Sequence, residues 1–409
     1  MASTDDARIA VERGTTWRDL LAARRVRAGI AVLLIAAVAL TLYLVRRPSA
    51  PTWPVPHADA SVQGTPVTVG TDVCGAGWTG GRAGRQTFAL WNNSIGGEEV
   101  YLRDAASQKV YLEVENLGAG VTRSASTTLA PGTYQFYCLP DDGDPVAGPA
   151  HGVIGAAPAA ATPGLVPVSS AELVPATQAY TAWIQTRLPV LHRQVGALAA
   201  DIGRGDLGAA RKDWLAGHRT YETLGAAYDA FGTYDAAING DHAGFHQIEA
   251  LLWGGAPAAR ITQPAAALVR AVQRLQRAFP TVADQMGTQA IGLRSHEILE
   301  NAVQFELTGS TDRGSHTNLA TVDANLTGTR QALKPLRPLL GQRDPDLAVT
   351  DRWLQRSQAL VRSFDHGGTW TPLGRLTRAQ HEEIDADLEQ TVEYLSEVAA
   401  ITEPRRTDQ

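Results

Sequence analysis

A chain of 409 residues is long enough for two or three cores. Its 36 basic residues against 42 acidic ones leave a formal charge of -6, which argues against nucleic acid, a partner that needs a basic field, and is compatible with the capture of cations. No glycine-rich phosphate loop, G-x-S-x-G, H-E-x-x-H or EF-hand loop occurs, and several enzyme classes fall with them.

Residues 1–27 read as a short cytoplasmic tail. Residues 28–45, AGIAVLLIAAVALTLYLV, carry no charge and are almost wholly apolar, near the low end of the roughly 17–25 residues that span a bilayer. Arg13, Arg18, Arg24, Arg25 and Arg27 precede the run; only Arg46 and Arg47 follow it before Arg82. That asymmetry predicts a single-pass transmembrane helix with its N-terminus cytoplasmic and everything after Pro48 exported. Arg46 and Arg47 abut the run and Pro51 follows Ser49-Ala50, which favours an uncleaved anchor over a signal peptide. Residues 46–66 form a Pro/Ala-rich linker suited to lifting a domain off the membrane.

Over 67–155 the pattern turns to strands. VTVGTDV, QTFALWN, VYLEVEN and GTYQFYCL alternate apolar and polar residues between Gly, Asn and Pro punctuation, which predicts a small β-sandwich. Cys74 and Cys138 bracket this region, and in an oxidising compartment they are free to pair. A second Pro/Ala linker covers 156–170. From 171 to 403 the texture is helical, with apolar residues at three- and four-residue spacing in 173–202, 206–231, 243–253, 263–284, 288–307, 315–334, 346–363 and 378–400. Gly205, Gly254-Gly255, Pro264, Gly309, Pro335, Pro338, Pro345 and Gly367-Gly368 read as the joints. The fold class is multidomain, β then α: a transmembrane helix, a β-sandwich and an all-α bundle.

The sharpest chemical feature is GFHQIEALLWG, 244–254. His246 and Glu249 are three apart and share a helix face; an imidazole and a carboxylate pointing into a bundle are raw material for a metal site. His242 joins them if the helix starts early enough. In the preceding segment His218, Glu222 and Asp229 fall near one stripe, beside Tyr221, Leu224, Tyr228 and Phe231, where burial of carboxylates demands a cation or a partner. The alternative is salt bridging to Arg219 or Arg211 on a solvated face. A third cluster, His296, Glu297, Glu300, Glu306 and His316, reads on periodicity as helix-surface charge with a capped turn at Ser315.

Several of these pieces resemble the imelysin-like family. Its G-x-H-x-x-E signature is matched by Gly244, His246 and Glu249; Tyr221-Glu222, the run Phe231, Gly232, Asp235, and the distal stretch Glu297 to Glu300, Thr308-Gly309, Ser315-His316-Thr317 and Leu319 follow in order. The N-terminal sandwich resembles the cupredoxin-like domain of EfeO-type iron-uptake proteins in Asp72 and Cys74, in Asn92, Asn93, Glu98 and Glu99, in Glu113, Glu115 and Asn116, and in Pro131 to Cys138. This resemblance covers most of 67–401. It implies a cupredoxin-like sandwich followed by an imelysin-like bundle, in a non-enzymatic component that presents iron to an iron permease and a periplasmic peroxidase or oxidase. It also implies metal ligands among His246, Glu249, Glu222, Asp229 and His218, and among Cys74, Cys138 and Glu99 in the sandwich, with zinc or copper as further ions such ligands accept. The chain departs from the family pattern at the second acid of the sandwich, where Tyr101 stands two residues after Glu99. It also lacks the His–Cys–His–Met set of a blue-copper centre. Two other functions stay open: an imelysin-type metallopeptidase, for which no general base is evident, and a polymer- or partner-binding module with a structural polar cluster.

Overall fold

The structure, a computed structural model, describes residues 58–141 and 143–406. The segment expected to cross the membrane, 28–45, lies outside the described residues, as do the tail before it and most of the first linker. Among the described residues no helix is long and apolar enough to cross a membrane.

Ten strands come first: β1 Thr65–Val69, β2 Cys74–Ala76, β3 Gly81–Arg82, β4 Gly84–Asn92, β5 Glu98–Asp104, β6 Val110–Leu117, β7 Thr122–Leu129, β8 Gly132–Pro140, β9 Val146–Ala147 and β10 His151–Ile154. They form two sheets, ordered β2-β1-β4-β7 and β3-β10-β8-β5-β6, with β9 on β8; β1/β4 and β10/β3 are parallel pairs. The sheets enclose one core. Val67, Phe88 and Leu90 enter from the first, and Val100, Leu102, Phe136 and Cys138 from the second. Phe88 and Phe136 meet edge to face across it, 5.2 Å between centroids. Side chains alternate along a strand, so Tyr101, Tyr137 and Leu139 form a separate buried cluster on the other face of the second sheet, joined by Val110, which a register shift between β5 and β6 turns to that face.

The sequence patterns do not single out β5 or β7. β5 (EEVYLRD) opens on two glutamates, and β7 (TRSASTTL) is nearly all polar with only Thr127 and Leu129 buried. Pairing with β4 along its length, not burial, holds β7 in place.

The helical region comprises α1 Ser170–Arg204, α2 Leu207–Glu222, α3 Tyr228–Phe231, α4 Thr233–Asn239, α5 Gly244–Trp253, α6 Ala258–Ala283, α7 Ala290–Asn301, α8 Asn318–Arg343, α9 Leu347–Arg362 and α10 Arg378–Ile401. α1 opens with a capping box between Ser169 and Glu172 and ends where Gly205 turns left-handed, φ 75°. Its face of Leu173, Tyr180, Ile184, Leu188, Leu191, Val195, Leu198 and Ile202 enters a single core shared by the whole region; each such side chain contributes roughly 1.5–3 kcal/mol.

Two expectations change. Pro264, Pro335 and Pro338 are not joints: they lie inside α6 and α8. A proline inside a helix costs about 3 kcal/mol, but Leu333, Leu336 and Leu340 keep α8 anchored in the core across both of its prolines. The segment 206–231 is not one helix. α2 stops at Glu222, and a short 3₁₀ turn, Gly225–Ala227, precedes α3. α8 passes so close that a Cβ on Gly328 would lie 2.7 Å from the Thr223 carbonyl oxygen.

The β and helical regions meet along the outer face of the second sheet. Arg405, just past α10, donates from Nε to Glu113 Oε2 at 2.8 Å. Arg406 donates to the carbonyls of Leu139 and Pro140 at 2.6 and 2.7 Å.

Candidate metal centre

α2 presents His218 and Glu222 one turn apart on its inner face, both buried. Trp214, one turn earlier, stacks on the His218 ring at 4.7 Å and fixes its plane. Helix α5 contributes His246 and Glu249. It begins at Gly244 with φ 49°, where a Cβ would lie 1.8 Å from the Ile238 carbonyl oxygen, so only glycine allows this entry. That start leaves His242 exposed in the turn before the helix.

The remaining ligand comes from a stretch without periodicity. After α7 the chain makes one π-turn, Ala302–Glu306, whose extra residue carries Glu306 into the interior. The loop that follows turns back at Asp312 (φ 47°) and His316 (φ 55°) before α8. Asp312 is buried and accepts from Thr321 Oγ1 at 2.6 Å through Oδ2.

His218, His246 and Asp312 converge: each offers a ligand atom, and these atoms lie within 4.8 Å of one another. An ion with bonds of about 2.1 Å keeps its ligand atoms within roughly 4.2 Å of one another, so closure needs only small side-chain shifts. His218 Nε2 stands 3.2 Å from Glu222 Oε1 and Nδ1 stands 3.7 Å from Asp312 Oδ1. Neither ring nitrogen has a partner in hydrogen-bond geometry, and neither has Asp312 Oδ1. Buried polar atoms left this way are costly, and a cation would satisfy one His218 nitrogen and Asp312 Oδ1 together. The donor set fits a metal.

The two glutamates of the helical motifs are more heavily committed. Glu249 Oε1 accepts from Gly314 N, Ser315 N and Ser315 Oγ at 3.0, 2.8 and 2.8 Å, while Oε2 faces His246 Nδ1 at 3.6 Å. It clamps the loop that carries Asp312. Burial works against its charge, but His246 and the Ser315 donors prevail and hold its carboxyl at about 2. Glu222 accepts from Asn239 Nδ2 at 2.8 Å and Asn325 Nδ2 at 3.0 Å. Burial disfavours the imidazolium of His218, yet Asp312 and Glu222 outweigh it and carry the ring up to about 9. Glu306 is raised by burial and then by the neighbouring charges of Asp312 and Glu222. A cavity of about 290 Å³, lined by Glu222, Asp241, His246, Glu297 and Glu306 among others, adjoins the cluster.

Four of the residues the sequence put forward as ligands fall elsewhere. Asp229, beyond the break after α2, is 78% exposed and pairs with Arg294 at 3.0 Å, so the stripe it was to share does not exist. Cys74 and Cys138 form a disulfide and present no thiolate. Glu99 accepts from the Tyr101 hydroxyl in the β region, apart from the cluster. His296 faces Glu300 at 3.7 Å, partly exposed, as surface charge. Asp312 gave no signal of its own in the sequence, and Glu306 was read as helix surface; the π-turn that buries it leaves no mark on a 3.6-residue period.

Residues 230–400 match the imelysin family model, a span that includes His246, Glu249, Glu306 and Asp312 and begins after His218. The iron uptake system component EfeO of Yersinia pestis is 24% identical over 311 residues, 73% of this chain and 80% of the relative. That of Escherichia coli K12 is 23% identical over 336 residues, 78% and 86% of the two chains. The chain resembles iron-uptake components of the EfeO type. Here the residues that match the imelysin motif, Gly244, His246 and Glu249, divide their labour: Gly244 admits the turn, His246 faces the cluster, and Glu249 positions the Asp312 loop.

Proposed function

We propose that this chain is a non-enzymatic component of an iron-uptake system, held at the outer face of the cell membrane by 28–45, that carries iron in the His218–His246–Asp312 cluster. One observation carries the reading: buried His218 and Asp312 and the half-buried His246 offer ligand atoms within 4.8 Å of one another, and His218 and Asp312 keep side-chain polar atoms without hydrogen-bond partners. Carboxylate oxygen with imidazole suits ferrous or ferric iron and also accepts zinc or copper. The names of the similar proteins support iron as the cargo. On this reading a permease and a periplasmic peroxidase or oxidase of the same system receive it.

We read the two-sheet region as cupredoxin-like in fold but without a copper centre. Its cysteines are bonded to each other, and His151 is the one histidine among its described residues. It serves as a spacer and docking body.

The test is metal content and calorimetry with Fe²⁺, Fe³⁺ and Zn²⁺ on the full chain and on His218→Ala, His246→Ala and Asp312→Asn. Each change is expected to weaken binding beyond the roughly 10–100-fold that loss of an outer partner costs; Glu249→Gln falls within that range. Saturable binding unaltered in all three ligand variants overturns the assignment. The same proteins incubated with casein test a peptidase, and metal-dependent cleavage lost with the ligands would replace the carrier reading.

A further inference from the structure

Away from the metal cluster, a second cavity of about 250 Å³ lies where the β region meets the helical region. Its walls include Tyr101 and Tyr137 from the outer face of the second sheet, both buried. Three guanidinium groups line it, Arg103 from β5, Arg343 from the end of α8 and Arg406 from the C-terminal segment, against a single carboxylate, Glu172 of α1. Arginines from three separate elements thus converge on one hollow. They are held in place by other contacts. Arg103 lies over the Tyr137 ring, 3.4 Å from its centroid. Arg343 is 10% exposed and bonds to Glu172 Oε1 at 2.7 Å and the Pro167 carbonyl at 3.2 Å. Arg406 bonds to the carbonyls of Leu139 and Pro140 and stands 3.5 Å from Asp141. Gln108, also on the wall, holds a left-handed backbone with φ 60°, strain of the kind that collects at ligand clamps.

Fixed guanidinium forks are the preferred partners of planar or tetrahedral oxyanions, and aromatic walls lower the local dielectric that strengthens such pairs. We propose that this cavity binds a small oxyanion, inorganic phosphate or a short carboxylate with two or three acid groups. The volume holds about eight waters at roughly 30 Å³ each, enough for such an anion and too little for a nucleotide. The site is separate from the metal cluster and does not depend on the iron reading. Its occupant would bridge β5, α8 and the C-terminal segment, and so brace the two regions against each other.

The experiment uses full-length protein stripped of metal, so that no anion reports through a bound ion. Phosphate and, separately, malonate are titrated by calorimetry at constant ionic strength with chloride as the control, on the wild type, Arg103→Gln, Arg103→Lys and Arg343→Gln. Saturable binding weakened at least tenfold in both glutamine variants, and partly in Arg103→Lys, which keeps the charge and loses the fork, is the expected result. Phosphate alone or malonate alone supports the site and names its ligand. Hydrogen exchange on the wild type, expected to slow over 101–110 and 165–168 on anion addition, decides the matter even where a variant does not fold. No saturable binding of either anion, binding undiminished in both glutamine variants, or protection confined to other segments overturns the proposal.

Discussion

Glu98 opens β5 fully buried, neither carboxylate oxygen in hydrogen-bond geometry, and burial pushes its carboxyl up to about 7. The folded state therefore holds this proton more tightly than the unfolded chain does. Stability from that group is complete below the unfolded value near 4.5 and is lost as pH rises through 7. Glu98→Gln is expected to match the wild type at pH 4 and to exceed it by about 3 kcal/mol at pH 8, read from denaturant unfolding at the two pH values; a wild-type stability flat across that range would remove Glu98 as the cause. At Gly244 the constraint is steric. Gly244→Ala sets a Cβ against the Ile238 carbonyl in a left-handed backbone, strain of about 1–3 kcal/mol or more. Metal affinity should fall with the melting temperature, because His246 and Glu249 ride on the same turn. A drop in melting temperature with unchanged affinity would show that α5 re-enters without moving them.

At the scale of elements, the site joins one part that a helical period announces to another that it does not. His218 with Glu222, and His246 with Glu249, stand at i,i+4 and i,i+3 on real helices, so each pair shares one face as the spacing predicts. Periodicity failed where helices stop. It ran α2 on to Phe231, placing Asp229 on a stripe it does not share, and it smoothed over the π-turn that points Glu306 inward. Asp312 belongs to a loop whose shape is set by tertiary clamps, Glu249 on Ser315 and Thr321 on Asp312, so no local signal could mark it. Strands fared likewise: β8, buried on both faces, was plain, whereas polar β7 is defined by its partner β4. The π-turn itself is testable. Deleting Gln304, an exposed residue within it, regularises the helix and rotates Glu306 by about 100°. Iron affinity measured by calorimetry should drop further than in Glu306→Gln, which leaves the loop where it is. Equal losses would mean that only the carboxylate matters.

Over the whole described molecule, two covalent or polar ties hold the β region together and hold it to the helices. The Cys74–Cys138 disulfide closes a span of 64 residues, for which loop closure contributes roughly 4 kcal/mol. Cys74→Ser/Cys138→Ser should destabilise the β region by about that amount or somewhat less while leaving iron affinity intact. A matching loss of iron would mean that the β region takes part in binding. The second tie lies at the C-terminus, where Pro404 bridges Val168, Arg405 N donates to the Val168 carbonyl and Arg405 reaches Glu113. The chain therefore enters and leaves the helical region at one point. An element whose two ends meet can be cut out, transplanted or reopened elsewhere without stretching its connections. Such a geometry lets the helical half be exchanged between scaffolds as a cassette, and it makes a circular permutant, joined across Val168 and Pro404 and opened in an exposed helical turn, a natural route to this half in isolation.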